Sequence, residues 1–215
     1  MQKKKGCLIV ILGVFAVFAI IGIVMALTMK PEDMKTGIAK YIDVTDEQGK
    51  QIDENLKKCG IEELKAAEHD ELLDNAHFKG ETGYRLSDDN AKNIILYLDG
   101  DKKTYLVKYA DYTLYEDNSS SAKLSDYVIT TNEATDIEIK CENVVKNILK
   151  SPSTAKFPNI TEWKMKKEKN IFTVQSYVDS QNSFGATMRS EFQIVVDTKK
   201  NEIQSFIFDG NELIK

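Results

Sequence analysis

The sequence predicts an α+β protein in which one N-terminal transmembrane helix is followed by two small domains. Each domain is expected to contain a helix or helices and then a three- to four-stranded antiparallel meander. Three observations support this prediction. A long uncharged segment lies near the N-terminus, and each half of the remaining chain begins with apolar residues at helical spacing. In each half the apolar residues then change to alternate positions, as in strands. The 215 residues are 42% apolar and 29% charged, an ordinary globular composition.

The predicted membrane helix lies at residues 7–29. No charge occurs between residues 6 and 29, and a helix of this length covers more than the roughly 30 Å hydrocarbon core of a bilayer. Lysines lie in the basic tail, 1–6, whereas lysines and acids are mixed on the far side, so we expect the N-terminus in the cytoplasm and residues 30–215 outside it. A cleaved signal peptide is the competing interpretation, but its apolar core is normally about 7 to 15 residues long.

The charge balance argues against a nucleic-acid partner. Beyond residue 29 the chain has 34 acidic and 26 basic residues, whereas a surface that binds nucleic acid needs a basic excess. Lysines at 164, 166, 167 and 169 form the one basic cluster, but two glutamates lie among them and no aromatic residue is interleaved for base stacking. We interpret this cluster as the solvated tip of a hairpin.

Two domains are predicted beyond the membrane because the order of helix and then strands occurs twice. A polar stalk is assigned to residues 30–40, the first domain to 41–125 and the second domain to 126–215. Short hairpin links make sequential strands neighbours, so each domain should be a sheet with its helices on one face and water on the other. The first domain is acidic and the second is nearly neutral.

Three helices are predicted from capping residues and apolar spacing. Thr45 is a suitable N-cap ahead of two acidic residues, and Gly60 ends the helix that Thr45 begins. A second amphipathic helix is expected at residues 62–75, where leucines and alanine recur at helical spacing. In the second domain Thr131 caps a helix at 132–150, which a Ser-Pro pair then stops.

Strands are predicted where apolar and polar residues alternate. The candidates are residues 84–86, 93–98, 103–110 and 112–115 in the first domain, and 160–165, 171–179, 187–196 and 202–208 in the second. Asp99-Gly100 separates two of them and is typical of a two-residue hairpin turn with positive φ. In strand 187–196, Phe192 is expected on the buried face and Arg189 on the opposite face.

No motif for catalysis or cofactor binding occurs in the chain. It lacks a glycine-rich phosphate loop, a nucleophile elbow, a Cys-x-x-Cys pair and a metal-spaced histidine pair. His69 and His77 are the only histidines, and eight residues on a helix would separate them by about 12 Å, too far to share one metal ion. We therefore predict that the protein is not an enzyme and that it needs no cofactor or metal.

The two cysteines beyond the membrane leave the question of a disulfide open. Cys59 and Cys141 each fall on the apolar stripe of a predicted helix, where a free cysteine behaves as a small buried hydrophobe. An oxidising exterior would permit a bridge, but only if the two Cα atoms came within about 7 Å of each other. Their positions in the sequence do not decide between these alternatives.

Two runs in the second domain are less generic than the rest: LKSPSTAKFP at 149–158 and YVDSQNSFGATMRSEF at 177–192. They resemble a small C-terminal domain of membrane-anchored proteins of unassigned activity from Gram-positive bacteria, phages and mobile elements, and a weaker similarity extends over 41–127. The resemblance implies a bacterial envelope setting and supplies no catalytic residues. By analogy alone, the predicted architecture is similar to cystatin-like and double α/β-meander inhibitor folds, which says little about function.

Phe184 and Arg189 are the candidate partner-binding residues, because both lie on the hairpin within the second run, whose turn Asn182, Ser183 and Gly185 are expected to form. Aromatic and arginine side chains are favoured at contact hot spots, although a turn of this length often serves topology alone. The leading hypothesis is a non-enzymatic single-pass membrane protein whose extracytoplasmic region binds a protein or a component of the cell envelope. The alternative is an inhibitor or immunity-type protein that blocks an extracellular enzyme, and an envelope hydrolase comes third.

Overall fold

The computed structural model describes residues 35–214 and contains two antiparallel sheets and a few helices, which confirms the predicted α+β class. One sheet has six strands and the other five, and in both the strands are neighbours in chain order. Each sheet has its own cluster of buried apolar side chains. No helix in this part of the chain is long and apolar enough to cross a membrane. The predicted span, 7–29, lies outside the described residues.

The first sheet follows a short helical segment. A 3-10 helix, Gly37–Lys40, precedes helix α1, Asp46–Lys58. The strands of the first sheet are β1 (Ala66–His69), β2 (Thr82–Ser87), β3 (Ile94–Leu98), β4 (Thr104–Tyr109), β5 (Tyr112–Glu116) and β6 (Ser119–Ser120). Ile52 and Leu56 of α1 lie in one buried cluster with Leu96 of β3, so this helix covers the inner face of the first sheet.

The second sheet follows helix α2, Thr131–Lys146. Its strands are β7 (Lys164–Glu168), β8 (Ile171–Gln181), β9 (Thr187–Asp197), β10 (Glu202–Phe208) and β11 (Asn211–Ile214). Ile137 and Cys141 of α2 pack with Phe192 of β9 in the second buried cluster. Strands β8 and β9 have 11 residues each, whereas β7 pairs only with residues 171–175 of β8. The far part of the β8–β9 hairpin therefore extends beyond β7.

Capping boxes begin both helices. The Thr45 hydroxyl accepts the Gln48 N–H at 3.2 Å, and the Gln48 side chain accepts the Thr45 N–H at 2.9 Å, as predicted for this N-cap. Helix α2 is capped by Thr130 and not by Thr131, because Glu133 stands three residues after Thr130 and completes its capping box. Helix α2 also ends before the predicted limit, at Lys146.

The helix predicted at 62–75 is wrong. Residues 66–69 form β1, which pairs antiparallel with β2. A loop follows over residues 70–81, and its only helical part is one 3-10 turn, Glu71–Leu73. Leu72 is 91% exposed, so the apparent apolar stripe is not a buried face. Leu73 instead lies against Gly83 of β2. Pairing with β2 and packing on the sheet override the local helical pattern, as tertiary context commonly does.

The hairpin of β3 and β4 is confirmed, but the predicted two-residue turn is wrong. Residues 99–103 connect the strands, and the Asp99 N–H donates to the Lys103 carbonyl at 3.0 Å. Lys102, not Gly100, has the positive φ, at 62°. The Asp99 carboxylate accepts N–H groups from two residues of the connection, Asp101 and Lys103, each at 2.9 Å. This local network favours a longer loop over the tight turn.

The strand predicted at 160–165 begins later than expected. Ile160–Glu162 is a 3-10 turn, and Asn159 caps it by accepting the Thr161 N–H at 3.0 Å. The strand then starts at Lys164. The prediction also missed β1, β6 and β11. Because β6 pairs with β5, β5 is an interior strand and not the edge of its sheet.

The stalk predicted at 30–40 is too long. Ile38 and Ala39, in the 3-10 helix, are almost completely buried in the first cluster. Asp53 of α1 fixes this segment by accepting the Ile38 N–H at 3.0 Å. Residues 37–40 are therefore part of the folded structure and not of a polar linker.

Cys59 and Cys141, the cysteines within residues 35–214, are free, and they lie in different clusters. Cys59 is the C-cap of α1, and Cys141 lies on the inward face of α2. Burial raises the pKa of Cys59 to about 11 and that of Cys141 to about 12. The question left open by the sequence is answered in favour of two buried thiols that do not pair.

Candidate functional site

The two distinctive runs of the second half meet at the β8–β9 hairpin. Lys156 forms an antiparallel bridge with Asp179, and the Thr154 hydroxyl accepts the Gln181 N–H at 2.9 Å. The stretch around Thr154 thus supports the part of β8 that β7 does not reach.

The tip of the hairpin is a short loop organised by Asn182. Its side-chain oxygen accepts the Phe184 N–H at 2.9 Å and the Ala186 N–H at 3.1 Å. Gly185 has a φ of 81°, a left-handed conformation that favours glycine. The turn residues predicted from the sequence therefore have the roles expected of them. They hold the loop in a defined shape while its central side chain points into solvent.

Phe184 is the most exposed large apolar residue among those the structure describes. Its relative exposure is 95%, and Met188 on the same hairpin is 54% exposed. Met188 points to the same face of β9 as Phe192, which lies further along the strand and is buried. The hairpin therefore exposes one apolar side chain almost completely and a second by about half. Isolated exposed apolar residues are common, but a contact surface often concentrates them on one element.

Arg189 is exposed but already engaged. Its Nε and Nη2 each donate to a different carboxylate oxygen of Asp179 at 2.8 Å, and its guanidinium lies 3.7 Å from the centroid of the Tyr177 ring. Hydrogen bonding to Arg189 lowers the pKa of Asp179, and the same contact raises the pKa of Arg189. The predicted cationic contact is thus a neutralised, planar group and not a free positive charge.

Asp179 and Tyr177 are site residues that the sequence analysis missed. They lie on β8, where the register pairs Asp179 with Arg189 and Tyr177 with Glu191. The Tyr177 hydroxyl donates to Glu162 at 3.3 Å. The structure therefore places Phe184 at the tip of the hairpin and Arg189 within a polar network on its face, so the two predicted residues occupy different surfaces of one element.

The lysine cluster is only partly the solvated hairpin tip that was predicted. Lys167 is 8% exposed, and its Nζ donates to the Val128 carbonyl at 3.1 Å and pairs with Glu133 at 2.5 Å. Lys166 remains on the surface beside Glu168 at 2.6 Å. The alternation of β7 explains the difference, because Lys167 points inward and Lys166 outward.

The two histidines lie on β1 and the 70–81 loop, not on a helix. His69 contacts Asp74 at 3.0 Å and His77 contacts Glu81 at 2.9 Å. The His77 ring also meets Tyr97 edge to face, with a centroid distance of 4.8 Å. Within residues 35–214, no group of three His, Cys, Asp or Glu side chains is arranged to hold a metal ion. These histidine contacts fasten the 70–81 loop to β1 through His69 and to β3 through Tyr97.

No family model matches the chain, and comparison with curated proteins and with solved structures gives no match either. The resemblance carried by the two runs, 149–158 and 177–192, therefore stays a prediction. The same holds for the analogy with cystatin-like and double α/β-meander folds. Independently of any relative, the geometry shows that these two runs contact each other around Asp179 and together build the β8–β9 hairpin.

Proposed function

We propose that the chain is a non-enzymatic single-pass membrane protein whose extracytoplasmic part binds a protein partner through the β8–β9 hairpin. Residues 7–29 anchor it, with the N-terminus in the cytoplasm. The main observation behind the proposal is that the Phe184 side chain is 95% exposed on an ordered loop. The side chain of Asn182 holds the backbone of this loop in place. A side chain presented by an ordered loop loses little conformational entropy on binding, and aromatic residues dominate contact energies.

The state of the nucleophiles and bases supports a role without catalysis. Burial raises the pKa of Cys59 and of Cys141 far above neutrality, so neither thiol forms the reactive thiolate. His69 and His77 each contact a carboxylate within the same loop region.

The shape of the hairpin favours an inhibitor or immunity-type protein as the second candidate. Residues of β8 beyond Gln175 extend past β7, and the loop at their end carries Phe184. A projecting hairpin of this kind fits a concave enzyme site better than a flat surface. In that case the partner is an extracellular enzyme, and binding reduces its activity.

Site-specific photo-crosslinking in intact cells tests the proposal. A photoreactive phenylalanine analogue at position 184 should form a covalent adduct with one predominant partner. The same analogue at position 72 is the matched control, because Leu72 is 91% exposed on a different surface. An adduct with an enzyme favours the inhibitor candidate, and an adduct with another envelope protein favours the leading one. Identical adduct patterns at both positions would contradict a role for the hairpin.

The membrane arrangement needs a separate test. The full chain should remain in the membrane pellet after carbonate extraction with its N-terminus intact, because a 24-residue uncharged segment buries more apolar surface than a peripheral contact. Protease added to protoplasts should degrade the part beyond residue 35. Mature protein that begins after Thr28, or a protected C-terminal part, would contradict this arrangement.

A further inference from the structure

A shallow depression of about 410 Å³ lies on the face of the second sheet that points away from α2. One row of cross-strand neighbours crosses its floor from β7 to β10, and the members of this row are Lys164, Gln175, Gln193 and Ile207. The next pair along the hairpin, Tyr177 and Glu191, also lines it, together with Glu162. This surface is distinct from the hairpin tip.

The floor of the depression presents hydrogen-bonding groups of both kinds. Gln175 Nε2 donates to Gln193 Oε1 at 2.6 Å. Among the described residues this pair leaves Gln175 Oε1 as an acceptor and Gln193 Nε2 as a donor for another molecule. Lys164 and Glu191 are both exposed and add a further donor and acceptor. Apolar surface comes from Ile207 and from the Tyr177 ring, which Arg189 holds in place.

The charges and polarity of the lining narrow the class of ligand. Two carboxylates, Glu162 and Glu191, outnumber the single ammonium group of Lys164, which disfavours an anion. Five of the ten lining residues carry an amide or a charged group, which a lipid or another fully apolar molecule would leave without hydrogen-bond partners. The remaining match is an uncharged ligand that carries both hydrogen-bonding groups and apolar patches.

Saccharides have this combination. A hydroxyl group donates and accepts, so neighbouring hydroxyls can pair with the carbonyl of Gln175 and the amide of Gln193 at once. The C–H faces of a pyranose ring can pack on Ile207 and on the ring of Tyr177. Neighbouring strands are about 4.8 Å apart, which is close to the length of one sugar unit in a chain.

We propose that this depression is a glycan-binding site that holds an uncharged saccharide chain across strands β7 to β10. The amide pair Gln175 and Gln193 recognises hydroxyl groups at its centre. Tyr177 and Ile207 provide the apolar contacts on either side. The site is independent of Phe184, so the chain would bind glycan and protein through two surfaces of one sheet.

Trp163 provides the readout, because it is the only tryptophan of the chain and lies between Glu162 and Lys164 in sequence. The full chain in lipid nanodiscs is titrated with cellotetraose, chitotetraose and maltotetraose while tryptophan fluorescence and binding heat are recorded. At least one glycan should give a saturable change. Replacing both Gln175 and Gln193 with Ala should weaken its binding about tenfold, because two hydrogen bonds are lost.

Thr173→Ala is the matched control. Thr173 lies on the same face of β8, two residues from Gln175, and is not among the residues that line the depression. This variant should bind as tightly as the wild-type chain, and an unchanged circular dichroism spectrum shows that all variants are folded. Absence of saturable binding with all three glycans would overturn the proposal. Equal binding by the double variant and the wild type would overturn it as well.

Discussion

Lys156 and Asp179 exchange both of their main-chain hydrogen bonds, at 2.8 Å and 3.0 Å, although β7 does not reach this part of β8. The Asp179 side chain meanwhile receives the bidentate contact from Arg189. Asp179 thus joins the run at 149–158 to the hairpin through its backbone and fixes the facing strand through its carboxylate. This arrangement makes the projecting hairpin a supported element and keeps its tip in a defined position.

Substitutions on the two faces of β9 should have opposite consequences. Phe192 is buried and lies 5.5 Å from Trp163 and 6.2 Å from Phe157, measured between ring centroids. Phe192→Ala should lower the free energy of unfolding by about 3 to 5 kcal/mol. Arg189→Ala should leave stability nearly unchanged, because its ion pair is exposed to solvent. Urea denaturation, monitored by Trp163 fluorescence, gives the free energy of unfolding of both variants. Equal losses of stability would contradict the assignment of the two faces.

The partly buried ion pair of Glu133 and Lys167 should make stability depend on pH. Burial, the strongest influence on Glu133, raises its pKa, but hydrogen bonds from Lys167 and Thr130 outweigh it and hold the pKa below its ordinary value. The pair therefore stabilises the fold above the unfolded pKa of about 4.3, and this contribution is lost as the pH falls through the lower folded value.

Glu133→Gln isolates this contribution. It should destabilise the protein by about 1 to 3 kcal/mol near neutral pH, because the nearly buried Lys167 loses its charged partner. The difference from the wild type should shrink as the pH falls below 4.3, the approximate ordinary pKa of a glutamate. Urea midpoints measured for both proteins between neutral and acidic pH check this expectation. A difference that stays constant with pH would show that the ion pair is not its source.

The loop at 70–81 should depend on the glycine beneath it. A Cβ atom at Gly83 would overlap the Leu73 Cβ and lie 3.2 Å from its main chain, so Gly83→Ala should displace the loop and destabilise the fold by about 1 to 3 kcal/mol. Gly100→Ala is the matched control, because nothing lies within 4 Å of the added atom. The two variants are compared by the hydrogen-exchange protection of the loop amides and by the midpoint of thermal denaturation. Equal protection in both variants would contradict the packing of Leu73 on β2.

Where local chemistry determines an element, the sequence was sufficient to predict it. Thr45 has its capping partner Gln48 within one turn, and the alternation of β9 separates Phe192 from Arg189. The loop at 70–81 could not be predicted in this way. Its conformation depends on the contacts of Leu73 with Gly83 and of His77 with Tyr97. These contacts require β2 and β3 to be in place beside the loop.

The candidate site was partly predictable for the same reason. Turn residues marked the loop around Phe184, and its exposure follows from that position. The engagement of Arg189 depends on strand register, which pairs it with Asp179. Asp179 and Arg189 each lie five residues from Phe184, so a hairpin centred on Phe184 would place them opposite each other. A signal for the contact was therefore present in the sequence. The row that forms the depression required the register of four strands at once.

Phe184 is expected to contact the partner without supporting the fold. The decisive measurement is the affinity of the full chain in nanodiscs for the protein identified by crosslinking at position 184. Phe184→Ala should weaken this affinity by about 2 kcal/mol or more, as expected of a contact hot spot, and should leave the urea midpoint unchanged. Leu72→Ala should change neither quantity. Unaltered affinity in the Phe184 variant, or equal losses in both variants, would contradict the account.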